Sequence, residues 1–311
     1  MLPFIARLLA TLLLTALVTI VSAQEADSVA ATFTEKGADN CLRCHDPGSE
    51  AGIKALFFTP HGQAVSGTPF GAQQCETCHG PGSEHAKRIR RDEQRAPLQD
   101  FRHDAKNATA INSTCLACHA DEHRAAWFGS AHEESKLSCS DCHRIHRERD
   151  PVLQTRSVNE VCGQCHARVI AESKLLSSHP IRNGGLACSD CHAAHGSSAD
   201  AELKQQGPNA NCFSCHADKR GPFLWEHEPV SEDCGLCHRP HGSNHRALLT
   251  QTPPLLCQSC HDDAGHPSLA YSAGVAAASG SIASFARLRG CTNCHSQVHG
   301  SNHPSGAPLN R

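Results

Sequence analysis

One stretch of the chain is almost continuously apolar, from Leu8 to Val21. It lies behind Arg7 and ahead of the small-residue site Val21-Ser22-Ala23. A run of about 14 residues is short of the about 20 that span a bilayer, and its flanks are those of a cleaved secretory signal covering residues 1–23. No later segment approaches spanning length. Beyond the signal the pattern predicts short helices, for example over Glu84 to Arg95 and Asn159 to Leu175, and very little sheet. The charged stretch from Lys87 to Arg95 reads as a solvated helix face.

Composition changes this picture in one respect. Aromatic residues are only 4% and the mean hydropathy is −0.40, a poor supply for an ordinary core in a chain of this length. Removing 23 of the 311 residues leaves 288, so something other than side chains must supply the apolar interior. The 23 glycines and 17 prolines fit many tight turns.

The cysteines say what supplies it. All 20 fall in ten Cys-x-x-Cys-His pentapeptides, with none left over. In chain order, and numbered here as sites 1 to 10, these are Cys41/Cys44/His45, Cys75/Cys78/His79, Cys115/Cys118/His119, Cys139/Cys142/His143 and Cys162/Cys165/His166, followed by Cys188/Cys191/His192, Cys212/Cys215/His216, Cys234/Cys237/His238, Cys257/Cys260/His261 and Cys291/Cys294/His295. The spacing is the haem c attachment signature. Two thiols on one turn each bond a vinyl group of the same porphyrin, and the next imidazole reaches the iron. Zinc sites need no His fixed after the second Cys, a thioredoxin-like dithiol needs one motif beside a βαβ unit, and a disulfide framework does not repeat one spacing ten times. Haem attachment of this kind takes place outside the cytoplasmic membrane, which agrees with the signal and places the mature chain in the periplasm or beyond. The expected fold is a multihaem cytochrome c. It is elongated, mostly loop with short α-helices and almost no sheet, and the covalent haems form its core as a linear chain.

Axial ligation decides what ten haems can do. The single Met is Met1, which leaves with the signal, so the His/Met option that raises cytochrome potentials is excluded. Of 24 histidines, ten lie in the motifs and fourteen remain, enough for two His ligands at every iron. A His precedes several motifs (His132, His179, His227) and another trails several (His146, His195, His241, His299). Three or four residues reach at most about 14 Å, too little to round a porphyrin edge, so a trailing His is expected to ligate a neighbouring haem. The arrangement is an internal repeat that restarts at Cys139, Cys188 and Cys234, at intervals of 49 and 46 residues. A period of this size means an array whose units each contact mainly their neighbours.

The stretches KGADNCLRCH (Lys36 to His45), CHADKRGPFLWEHEPV (Cys215 to Val230) and CTNCHSQVHGSNHPSG (Cys291 to Gly306) resemble the MtrA-type decahaem cytochromes (MtrA, MtoA, PioA, DmsE), and the likeness extends over the mature length. The resemblance implies two pentahaem halves, 24–186 and 187–311, with bis-His coordination throughout. Mapped by motif, the distal set is His61, His85, His132, His146, His179, His195, His227, His241, His266 and one of His299 or His303. His103, His123 and His245 read as surface residues. The resemblance further implies insertion into an outer-membrane β-barrel porin of the MtrB type. Electrons would pass between periplasmic or inner-membrane cytochromes and the cell surface, in metal reduction or Fe(II) oxidation, with a surface multihaem cytochrome as a further partner. Only about seventeen residues, Gln24 to Asn40, precede the first motif, which argues against a long-armed PioA-like variant.

The competing class is a soluble periplasmic carrier, or donor to a terminal reductase such as a DMSO reductase. A haem enzyme needs an iron with an open position, and the fourteen non-motif histidines outnumber the irons. The formal charge is −3, made more negative by two propionates on each haem, which gives no reason to expect nucleic-acid binding.

Overall fold

A computed structural model describes residues 31–45, 52–102, 107–121, 124–261, 291–304 and 306–309. Among these residues no helix exceeds nine residues and there is no extended strand, only isolated bridges such as Ser177↔Ser243 and Trp225↔Ser301. Among the described residues no helix is long and apolar enough to cross a membrane.

Each motif is held by a short helical turn, and the turns are of two alternating kinds. At odd-numbered sites the helix ends on the motif, as in Ala38–Leu42, Ala108–Leu116, Thr155–Gly163, Ala210–Phe213 and Leu255–Gln258. At even-numbered sites it begins on the first Cys, as in Cys75–His79, Cys139–Cys142 and Cys188–Cys191, or as a 3₁₀ turn at Cys234–Leu236 and Cys291–Asn293. The Asp of CSDCH supports two of these starts. Asp141 accepts from the Ser138 N–H at 2.6 Å and Asp190 from the Ala187 N–H at 2.7 Å, which satisfies a donor that a helix start leaves unpaired.

The expected helix over Glu84 to Arg95 is not formed. The segment is turns and extended chain, preceded by the Gly80-Pro81-Gly82 breaker and lacking an apolar face. Arg95 closes it by donating from Nη1 to the carbonyls of His85 and Lys87 at 2.7 and 2.8 Å. The expected helix over Asn159 to Leu175 is split into Thr155–Gly163 and Ala167–Glu172. The site 5 motif causes the break, because His166 leaves helical geometry at φ −92°, ψ 47° to present its ring.

The protein's own core is small. Among the described residues nine hydrophobic residues are buried, and of their large side chains only Ile111 is fully so. Hydrogen bonds bind the turns together instead. Asn112, Asn159 and Asn209 each sit three residues before the first Cys of an odd motif, and each is buried. Their Oδ1 atoms accept from the backbone N–H of Cys139, Cys188 and Cys234 at 2.9, 2.8 and 2.7 Å. Their Nδ2 groups donate to the carbonyls of Leu137, of Ile181 and Leu186, and of Val230 and Ser231. One side chain thus clamps each of sites 3, 5 and 7 to the even site that follows. The Asn159 clamp thus ties site 5 to Ile181, Leu186 and Cys188.

Candidate haem centres

The thiols trace the order of the sites. The first thiols of sites 1 and 2, Cys41 and Cys75, lie within interacting distance of one another. Cys115 and Cys139, Cys162 and Cys188, Cys212 and Cys234, and Cys257 and Cys291 do the same. The second thiols make the intervening links. Burial and then the neighbouring Cys118 push the Cys78 thiol up, and burial and then Cys260 do so at Cys237. Cys165 acts in the same direction on Cys142, and Cys215 on Cys191, each after burial and a neighbouring Asp. Links through first and second thiols therefore alternate, and sites 1 to 10 follow one another in sequence order without a branch.

None of these cysteines forms a disulfide. The motifs line a single continuous cavity of about 4770 Å³, several times the about 300–1,000 Å³ of an ordinary ligand pocket. Nineteen of the twenty motif cysteines stand in its wall. Cys294 is the one not in it, although Cys291, Thr292 and His295 of the same motif line the cavity. Exposure does not set it apart, since Cys44, Cys118, Cys142, Cys165, Cys191, Cys215 and Cys260 are exposed too.

Nine motif imidazoles face a second imidazole across this cavity. The pairs are His45–His85, His61–His119, His79–His146, His132–His166, His143–His195, His179–His216, His192–His241, His227–His261 and His238–His299, with ring centroids 5.8–6.4 Å apart. A metal between two imidazoles, with metal–nitrogen bonds of about 2.0 Å and ring centres about 1.2 Å further out, separates the centroids by about 6.4 Å. The rings are too far apart to stack and spaced as a bridging iron requires. The donor set and the cavity fit covalently attached haem.

The pairing follows a rule of position. A His ahead of an even site faces the odd site one further on, so His61, His132, His179 and His227 serve sites 3, 5, 7 and 9. A His trailing an even site faces the even site two before it, so His146, His195, His241 and His299 meet sites 2, 4, 6 and 8. His85 trails site 2, where no site lies two before, and it faces site 1.

Glycine makes the backward reach possible. Gly196, Gly242 and Gly300 follow the trailing histidines at φ 96°, 152° and 122°. A Cβ on them would meet the Ala126 carbonyl oxygen at 2.1 Å, the Glu172 carbonyl oxygen at 2.0 Å and the Phe223 ring at 2.3 Å. Only a residue without a side chain lets the chain approach the preceding unit this closely.

Ring orientation is set at Nδ1. His79, His85, His132, His179, His192, His227, His238 and His295 direct Nδ1 at backbone carbonyls 2.5–3.0 Å away. A donating Nδ1 leaves Nε2 to a metal. Three of these carbonyls, on Ala194, Pro240 and Val298, belong to the residue just before a trailing His, so the two kinds of distal imidazole brace one another. Burial lowers the pKa of His61, His146, His195, His241 and His299, which favours the neutral, ligating form.

Of the HGSNH doublets, the structure brings His299 to His238. His303 instead closes a turn, its N–H donating to Ser301 Oγ at 3.0 Å. The equivalent His245 places Nδ1 2.8 Å from Thr252 Oγ1. His266, His103 and His123 lie outside the described residues. Sequence reasoning missed the Asn clamps, although an Asn three residues before the motif recurs at Asn112, Asn159 and Asn209. It also missed Asp150, which bonds His143 Nδ1 at 2.5 Å and carries no repeat signal.

Comparison with known proteins agrees with this geometry. Residues 179–221 and 227–266 each match the doubled CXXCH motif model, and residues 75–157 match the model of NrfB-like c-type cytochromes. The chain is 44% identical over 283 residues to a multiheme cytochrome MtrA from Shewanella baltica (strain OS185), covering 90% of this chain and 83% of that protein. The chain belongs to the MtrA family of multihaem c-type cytochromes and is an electron-transfer protein, not an enzyme, with around ten covalently attached haems.

Proposed function

We propose that this cytochrome is a conduit that carries electrons between the periplasm and the cell surface inside an outer-membrane β-barrel porin. The observation that carries the reading is the alternation of thiol links, which sets ten sites in one unbranched file in sequence order. When bound, the haems supply one-electron iron couples close enough for electrons to pass along that file.

The chain's own residues hold the file in place. The ten motif histidines are the proximal ligands. His85, His146, His61, His195, His132, His241, His179, His299 and His227 are the distal ligands of sites 1 to 9, each presented by the pairings above. His266 is the ligand left for site 10, since the positional rule would send it to an eleventh site that does not exist. Cys294 is the second thioether residue of that site, at the exposed end of the file. Two imidazoles at each iron close both axial positions, which suits electron passage and excludes substrate. The two pentahaem halves, 24–186 and 187–311, are joined through the Asn159 clamp. The chain is periplasmic, takes electrons from or gives them to periplasmic or inner-membrane cytochromes, and meets the surface acceptor or donor at the other end. The described part of the chain offers no spanning helix, so a barrel must shield its polar surface from lipid.

The test is reconstitution. Liposomes enclosing a dye acceptor should be reduced from outside when the holocytochrome and its barrel partner are both present, and not with either alone. Failure of the pair, with each partner folded and inserted, would leave a soluble carrier.

A further inference from the structure

Site 4 differs from its repeats in what holds its proximal imidazole. At sites 6 and 8 the corresponding contacts of His192 and His238 run to the carbonyls of Ala201 and Ala247, at 2.9 and 2.8 Å. At site 4 the same nitrogen of His143 meets a carboxylate oxygen, Asp150 Oδ2, at 2.5 Å. Of the nine ligand imidazoles with a described Nδ1 hydrogen bond, eight use backbone carbonyls and His143 alone a carboxylate. Among the described residues the other carboxylate paired with a ligand imidazole, Glu172 at 3.8 Å from His241 Nδ1, is too distant to hydrogen-bond.

The carboxylate is fixed and shielded. Its side chain is 12% exposed. Asp150 Oδ1 accepts from the backbone N–H groups of Arg144 and Val152, both at 3.3 Å. Among the described residues it makes no ion pair with a lysine or arginine, so its charge is left to act on the imidazole. A charged acceptor at Nδ1 pulls the N–H proton outward and makes Nε2 a stronger donor. A stronger anionic donor stabilises ferric over ferrous iron, and second-shell hydrogen bonding is one of the levers by which a protein sets a haem potential.

We infer that Asp150 makes site 4 the hardest site of the file to reduce among sites 2, 4, 6 and 8, an internal step that an electron crosses but does not occupy. This rests on His143 and His195 ligating one iron. The step itself is a one-electron reduction of ferric iron by a reduced neighbouring site, which is oxidised by one electron. No bond forms or breaks, and the proton stays between His143 and Asp150. Asp150 acts as a positioning and tuning residue, reaching the iron only through His143.

The experiment is optical potentiometry on the holoprotein and its Asp150→Asn and Asp150→Glu variants. In Asp150→Asn, about one tenth of the haem absorbance should leave the most negative part of the titration. Its reduction equilibrium should improve at least tenfold, equivalent to about 59 mV for one electron, while the remaining amplitude stays in place. Asp150→Glu should restore the negative component. An unchanged negative tail in Asp150→Asn, with ten haems attached and all low-spin, would overturn the inference. Appearance of one high-spin haem would instead show that the Asp-to-Asn change disrupts ligation. The wild-type protein then decides: near-infrared magnetic circular dichroism should show one haem in ten with its charge-transfer band displaced by imidazolate character, and a single undisplaced band would reject the role.

Discussion

The N-terminal end, residues 31–102, and the repeats from Cys139 onward solve the same problem with different materials. In the repeats, the imidazoles of sites 4, 6 and 8 each face a histidine from two sites further on, and Asn159 and Asn209 clamp neighbouring turns. The first site has no unit before it. There the polarity of the clamp is reversed, with Gln74 Oε1 accepting from the Ala38 N–H at 2.5 Å. The end also contains the apolar cluster of Ala38, Leu56 and Phe70, with Phe57 packed edge-on to Phe70 at 5.2 Å. A buried Glu76 ties it together, accepting from Thr34 N, Thr34 Oγ1 and Gly82 N. Protein atoms cover at the end what a neighbouring unit covers elsewhere. Stability should therefore be local at the end and shared between units in the interior.

Substitutions can separate the two regimes. The largest effect is expected at Gly242. Gly242→Ala places a Cβ 2.0 Å from the Glu172 carbonyl and must move His241. Because the Pro240 carbonyl also seats His179, sites 6 and 7 should both be disturbed, giving a high-spin ferric EPR signal of more than one haem while sites 1 to 3 stay low-spin. A signal of one haem or none would show that the units do not brace one another. At the end, Phe70→Ala should cost about 3–5 kcal/mol in denaturant unfolding of residues 31–102, followed by amide exchange, and leave the interior spin states unchanged.

Next in size is Asn159→Ala. It removes three hydrogen bonds at a buried site, and each group left unpaired costs about 1–3 kcal/mol. The unfolding midpoint should fall clearly, with ten haems still attached. His227→Ala should convert one haem to high spin and also retain all ten haems, because thioether bonds need only the motif. The smallest effect is expected at His245, whose ring bonds Thr252 and faces no partner imidazole: His245→Ala should leave the spectrum unchanged.

The motifs and most of the histidines that face them are legible in the sequence because covalent chemistry dictates the spacing and the repeat copies it. The choice between His299 and His303 is not, since HGSNH is identical at its two occurrences. The structure pairs His299 with His238 and turns the His303 N–H onto Ser301 Oγ. The helix expected over Glu84 to Arg95 does not form, because the segment is charged without an apolar face. There the chain is shaped by His85, which must reach site 1 and is held by the Ala96 carbonyl at 2.7 Å. Asp150 lies in a run of charged residues, RERD, that reads as solvated surface. Only its place beside His143 gives it meaning.

The central claim is the order of the file. Anomalous diffraction at the iron edge on crystals of the holocytochrome would locate every iron independently of the polypeptide. The account predicts ten irons in a single unbranched row, with neighbours in the row carried by consecutive motifs from Cys41 to His295. A clustered or branched arrangement, or a row whose neighbours are not consecutive in sequence, would contradict it.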